Sequence, residues 1–192
     1  MAGESEYIGA GIHFCATCDG PFYKGRDVVV VGGGNSAVEE AVFLTRFSPQ
    51  VTILVRGDRL SASKLAIDKA LSTPAIKVRY NIEIVEFKGE NNRFTTLVVK
   101  DIKTGKQEEL HPAAAFIFIG LQPNNEPFST TVATNAQGFV RTGSDFQTTI
   151  EGIFAAGDVR AGSTKQLVSA AGEGAAAAIA IRQHLNTHHA GE

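Results

Sequence analysis

The sequence predicts an α/β fold with a central parallel sheet and a β-meander, and three observations predict it. Residues 27–31, Asp-Val-Val-Val-Val, are a short, continuous β-branched run. A strand buried on both faces reads this way. Gly32-Gly33-Gly34 follows, then the good helix formers of residues 35–44, then a second apolar strand at 50–55. Together they make one β-α-β unit of about 30 residues. From residue 76 the apolar spacing changes to a period of two, over 76–87 and again over 94–102. That alternation marks antiparallel strands.

The remaining elements follow from local signals. Residues 64–71 have helical spacing and Pro74 stops them. Gly89-Glu90-Asn91-Asn92 turns the meander and Thr104-Gly105 turns it again before residues 107–110. Residues 114–119 read as another strand, ending at Gly120, and residues 121–127 read as a linker. A second unit begins beyond it. Residues 152–156 read as a short strand closed by Gly157-Asp158, and residues 165–185 as a helix rich in Ala and Gly. Such small side chains suit close packing against another backbone or a flat ligand. The tail from His184 through His188 and His189 to Glu192 reads as a frayed end.

Composition excludes several classes. A chain of 192 residues that is 43% hydrophobic can bury a core, so disorder is excluded. The length is that of about 1.3 domains. With 18 Lys+Arg against 20 Asp+Glu the chain lacks the basic surplus that nucleic-acid binding needs. No run of 18 apolar residues suggests a membrane span. The opening MAGESEY has no basic-then-apolar leader, which predicts a cytoplasmic protein.

Both cysteines lie together in Cys15-Ala16-Thr17-Cys18. Zinc needs about four ligands, and beyond His13 and Asp19 the neighbourhood offers none, so no metal is expected. A C-x-x-C pair suits reversible disulfide chemistry, because the short loop keeps the thiols in bonding range. The pair is not that of a thioredoxin: no Trp precedes it and no Gly-Pro lies within it.

Gly32-x-Gly34-x-x-Ala37 fits the fingerprint of a dinucleotide-binding turn, and its place after a strand and before a helix is the confirming context. Gly32 permits the tight turn, Gly34 lets backbone approach a pyrophosphate, and Ala37 keeps helix and strand close. Asn35 and Ser36 open the helix, whose N-terminus favours anions. The domain is thus predicted to be Rossmann-like, with three layers and an NAD(P) site. The second strand ends in Arg56, with Arg59 nearby, where an NAD site would carry an acidic residue. The arginines point to a 2′-phosphate and so to NADPH. Glu39 and Glu40 are expected on a solvated face.

Three motifs in order, Phe14-Cys15-Ala16-Thr17-Cys18-Asp19-Gly20, the Gly32–Ala41 turn and helix, and Gly152-Ile153-Phe154-Ala155-Ala156-Gly157-Asp158-Val159, resemble those of the low-molecular-weight thioredoxin reductases. The flavoprotein subunit of alkyl hydroperoxide reductase shares the module and is the alternative, as is a non-catalytic NAD(P)-binding fragment complementing a separate FAD-binding chain. The resemblance implies a split architecture. Residues 1–121 correspond to the NADPH domain bearing the redox pair, and residues 122–192 to the C-terminal part of an FAD-binding domain. It implies that electrons pass from NADPH to FAD, to Cys15–Cys18, and then to a thioredoxin. Cys15 attacks, Cys18 faces the flavin, and Asp19 moves the proton. Gly157 and Asp158 lie at the FAD, and Lys165, Gln166, Leu167 and Val168 lie by the flavin at a helix N-terminus. Two departures stand out. The family's His-Arg-Arg-x-x-x-Arg run is here Val55, Arg56, Gly57 and Ser61 at the aligned positions. The N-terminal FAD fingerprint is also absent, so the 192 residues alone are not expected to act as a reductase. The family habit and the expected apolar patch in the second part imply a homodimer.

Overall fold

A computed structural model describes residues 1–128 and 130–189, so the last three residues of the tail expectation lie outside the described residues. The chain divides into two compact units, Met1–Ile119 and Gly120–Glu192.

The first unit holds a five-stranded parallel sheet in the order β1-β8-β2-β3-β4. Its strands are β1 (Ile12–His13), β2 (Val28–Val31), β3 (Val51–Val55), β4 (Ile76–Tyr80) and β8 (Ala114–Ile117). Helices α2 (Asn35–Leu44) and α3 (Lys64–Leu71) pack on one face, and an antiparallel meander of β5 (Ile82–Glu90), β6 (Arg93–Asp101) and β7 (Gln107–Leu110) covers the other. The β2 run explains the three layers. Val28 and Val30 point into a core with Ala37, Val38, Ala41 and Leu44 of α2, whereas Val29 and Val31 point into a second core with Phe87, Phe94, Leu97 and Val99 of the meander. Successive strand residues face opposite sides, so a strand between two apolar layers must be apolar throughout.

Three expectations for the first unit are corrected. Residues 76–80 belong to the parallel sheet as its edge strand, paired Ile76↔Val51 to Tyr80↔Val55, and not to the meander. The chain switches sheets at Asn81, whose φ is 58°; asparagine tolerates this left-handed conformation better than most residues. The meander's first turn is narrower than expected. β5 runs to Glu90, and only Asn91 and Asn92 turn, with φ of 51° and 58°, as a two-residue hairpin of the primed type requires. The strand expected at 114–119 ends at Ile117.

The second unit is mostly turns and one long helix. Residues 152–156 form no strand among the described residues, only the bridge Gln147↔Phe154, because no neighbouring segment extends the ladder. Helix α4 (Leu167–His189) starts two residues later than expected, since Lys165 has φ 57° and cannot continue a right-handed helix. Glu173 on α4 accepts from Arg160 Nε at 2.9 Å, from Arg160 Nη2 at 2.6 Å and from the Gly157 N–H at 2.8 Å. The Arg160 bond, foremost, holds the Glu173 carboxyl below the usual carboxylate range. A depressed carboxyl stabilises the fold above its unfolded value and loses that contribution as pH falls through its folded value. Glu173→Gln is accordingly expected to cost about 1 kcal/mol at pH 7. The cost should shrink on acidification, as read by thermal unfolding at pH 7 and pH 3.

Candidate functional site

All five strands of the first sheet run the same way, so their carboxyl ends share one edge. That edge carries the chemistry: Phe14 and Cys15 follow β1, the glycine loop follows β2, and Arg56 follows β3. β8 separates β1 from β2, which puts the two sites about 10 Å apart along the edge. In open α/β sheets ligands bind at this edge where the strand order reverses. Here β3 and β4 extend from β2 on one side, and β8 and β1 on the other.

The glycine loop fits a dinucleotide. A Cβ at Gly32, where φ is 140°, would collide with the Phe118 carbonyl oxygen and lie 3.0 Å from Ala37 Cβ. A Cβ at Gly33 would lie 2.9 Å from Val55 Cγ1, whereas one at Gly34 would meet nothing nearer than Ser61 Oγ at 4.0 Å. Gly32 and Gly33 are therefore demanded by packing, and Gly34 presents open backbone at the start of α2. Buried Ala37 lets α2 press on β2. The N–H groups of the first turn of α2 have no acceptor within the helix, which suits a phosphate.

The segment after β3 is tied onto this loop. Ser61 donates its N–H to the Gly33 carbonyl at 2.8 Å and its hydroxyl to the same oxygen at 3.2 Å. Asn35 Oδ1 accepts the Ser63 N–H at 2.7 Å, so Asn35 spends its carbonyl on clamping that segment, while Ser36 stays exposed on the first turn. Arg56 and Arg59 precede the clamped segment, both exposed and in no ion pair among the described residues. Glu40 departs from the expected solvated face. It is half-buried, and burial, then the Glu39 charge, pushes its carboxyl up.

Cys15 and Cys18 are joined as a disulfide. Cys15 is half-buried and Cys18 exposed. Cys15 caps, and Cys18 lies within, a one-turn helix, α1 (Ala16–Asp19), where Cys15 Sγ accepts the Cys18 N–H at 3.1 Å and the Cys15 carbonyl accepts the Asp19 N–H at 3.1 Å. Neither β1 nor α1 was foreseen from sequence, because two and four residues are too short for periodicity. Sequence reasoning also passed over His13 except as a rejected metal ligand. It is buried, with Nδ1 3.3 Å from Asp19 Oδ2 and Nε2 2.7 Å from the Tyr23 hydroxyl.

The candidates in the second unit sit between the turn at 157–159 and the start of α4. Gly157 has φ 78°, and Asp158 is exposed, its carbonyl accepting from Lys165 Nζ at 3.2 Å. That ammonium also lies 3.9 Å from the centre of the Phe139 ring. Gln166 and Ser169 exchange bonds, the Gln166 N–H donating to the Ser169 hydroxyl at 3.2 Å and that hydroxyl donating to the Gln166 carbonyl at 2.8 Å. Leu167 and Val168 are 86% and 83% exposed. The first turn of α4 thus presents an open apolar surface.

Few arrangements set a dinucleotide cradle and a C-x-x-C disulfide on one sheet edge; the class that does so couples a pyridine nucleotide to a disulfide. The chain belongs to the pyridine nucleotide-disulphide oxidoreductase family, whose model matches residues 1–174. It is 40% identical over 185 residues to the thioredoxin reductase of Bacillus subtilis, covering 96% of this chain and 58% of that protein. It is 40% identical over 187 residues to that of Treponema pallidum, covering 97% and 60%. Among solved structures, the thioredoxin reductase of Streptococcus pyogenes superposes with a TM-score of 0.90 at 34% identity, covering 97% of this chain and 61% of that one. The chain thus spans about three-fifths of the length of the relatives it matches. No helix among the described residues is long and apolar enough to cross a membrane.

Proposed function

We propose that this chain is the NADPH- and disulfide-bearing part of a thioredoxin-disulfide reductase. In this reading residues 1–121 form the NADPH domain and residues 122–192 supply the C-terminal part of an FAD-binding domain. The observation that carries the proposal is the pairing of cradle and disulfide on one sheet edge, and the similarity to thioredoxin reductases over nearly the whole chain supports it.

The glycine loop and the first turn of α2 would hold the pyrophosphate, with Arg56 and Arg59 at the 2′-phosphate. Gly157, Asp158 and the segment Lys165–Val168 would border the flavin. When bound, the nicotinamide supplies a hydride and the flavin turns it into an electron pair fit for sulfur. The protein's own chemistry is thiol exchange. Once the pair is reduced, the Cys15 thiolate attacks a sulfur of the thioredoxin disulfide and expels one thioredoxin thiolate. The Cys18 thiolate then attacks Cys15 Sγ, restores the Cys15–Cys18 bond and expels the second. The two protons released by the pair end on thioredoxin, and in this reading Asp19, next to Cys18 in sequence, would carry one. A homodimer in the cytoplasm completes the proposal.

Two outcomes are expected. The 192 residues alone, which carry one dinucleotide fingerprint, should bind NADPH but show no flavin spectrum and no NADPH-driven reduction of thioredoxin. Activity should return when an FAD-binding N-terminal polypeptide from a relative is added. Failure of NADPH to bind, by calorimetry, counts against the cradle. Turnover without added flavoprotein counts against the division of labour. Arg56→Ala should weaken NADPH binding about tenfold while leaving NADH binding unchanged.

A further inference from the structure

The geometry around the disulfide points to His13 as a positioning residue: through its bond to the Asp19 carboxylate it fixes the group that moves protons for Cys15 and Cys18. The inference rests on the redox reading of that pair. Strand β1 ends at His13, two residues before Cys15, and α1 ends at Asp19, one residue after Cys18. The His13 ring therefore bridges the entry and the exit of the disulfide loop.

The contacts leave the ring little freedom. It is 7% exposed, tilted against the Phe116 ring of β8 at a centroid distance of 5.4 Å and against Tyr23 at 5.3 Å. A neutral imidazole satisfies both polar contacts at once. Nδ1–H donates to Asp19 Oδ2, and Nε2 accepts the Tyr23 hydroxyl proton. The chain Tyr23–His13–Asp19 then has a single direction and ends on a carboxylate oxygen.

Electrostatics agree with the neutral form. Burial pushes the His13 ring below its ordinary value against the opposing pull of Asp19, and burial pushes the Tyr23 phenol up, with the Arg26 charge opposing it. The charged and titratable groups facing the pair are Asp19 of α1, Tyr23 of the following turn, Arg26 beside the Tyr23 ring and Arg93 of β6; β8 offers only Phe116. Other C-x-x-C pairs tune their thiols by charges set close by. Here the tuning group is itself held by a buried ring.

The test uses this chain reduced with dithiothreitol and desalted, and follows the rate of iodoacetamide alkylation of Cys15 and Cys18 between pH 5 and pH 9. Asp19→Asn should change the pH profile. His13→Phe should reproduce that change, at least threefold in rate at the pH of greatest difference. His13→Asn, which keeps an N–H near Nδ1, should stay close to the original profile. Tyr23→Phe should move it the same way by less, and it serves if His13→Phe does not fold. In the Asp19→Asn background, His13→Phe should add nothing. A His13→Phe profile equal to the original, or an effect that adds to that of Asp19→Asn, would overturn the inference. An Asp19→Asn profile equal to the original would overturn it together with the proton role of Asp19. No nucleotide, flavin or thioredoxin enters the assay, so failure of the reductase reading would appear elsewhere, in thioredoxin reduction.

Discussion

Replacing Gly32 with alanine is expected to destabilise the first unit by about 3 kcal/mol or more and to abolish nucleotide binding by whatever remains folded. The cost has two sources. A φ of 140° is open to glycine and not to an L side chain, and the added methyl would meet the Phe118 carbonyl and Ala37 Cβ. Neither neighbour can retreat. Ala37 is fully buried between α2 and β2, and the Phe118 N–H is bonded to the Val31 carbonyl at 2.8 Å. Relief must come from moving α2 off the sheet, which opens the cradle. Gly34→Ala provides the contrast. Its Cβ meets only Ser61 Oγ at 4.0 Å, so stability should change by less than about 1 kcal/mol, while a methyl on the ligand side still weakens binding. Denaturant unfolding and NADPH titration of the two variants should separate packing from ligand approach.

The second large effect lies at the disulfide. In the proposed reductase complemented with its FAD-binding polypeptide, Cys15→Ser and Cys18→Ser should each abolish catalytic transfer to thioredoxin, because a serine cannot form a disulfide. The two should fail differently. Cys18→Ser leaves an attacking thiol without a resolving partner, so a Cys15–thioredoxin mixed disulfide should accumulate and be released by dithiothreitol. Cys15→Ser should give little adduct. The Cys18 N–H donates to Cys15 Sγ in the disulfide, and the same contact, kept once the pair is reduced, would favour a thiolate at Cys15. Non-reducing electrophoresis of each variant with oxidised thioredoxin reads the difference. A strong adduct with Cys15→Ser alone would exchange the two roles.

Most of the first unit was legible in sequence where an element is long or is sandwiched. The β2 run reads as a doubly buried strand because it is one, with alternate valines in two cores. β4 misled for an equally physical reason. Ile76, Val78 and Tyr80 pack toward the helix-side core, whereas Lys77 and Arg79 point to the other face, Lys77 exposed and Arg79 paired with Glu108, so this strand alternates like a meander strand. Only the left-handed Asn81 separates the two sheets, and one asparagine is a weak signal.

The site divides along similar lines. The glycine loop and the C-x-x-C are contiguous motifs and could be read directly. The clamp from Asn35 to Ser63 and the contacts of His13 with Asp19 and Tyr23 join residues on different elements. No periodicity announces such a pairing. For His13 the visible signal was a lone histidine two residues before the C-x-x-C pair. In the second unit the residues 152–156 looked like a strand because they are apolar, yet a strand needs a neighbour to pair with, and only one bridge is made there.

The proposed function makes Cys15–Cys18 an electron-carrying disulfide that serves thioredoxin. The direct measurement is to reduce the chain with dithiothreitol, remove the reductant, add an equal amount of oxidised thioredoxin, quench with acid, and count thiols on both proteins by mass. Cys15–Cys18 should reoxidise as thioredoxin gains two thiols, within minutes and without nucleotide or flavin. A chain that keeps both thiols while thioredoxin stays oxidised, under conditions where dithiothreitol itself reduces that thioredoxin, would contradict it.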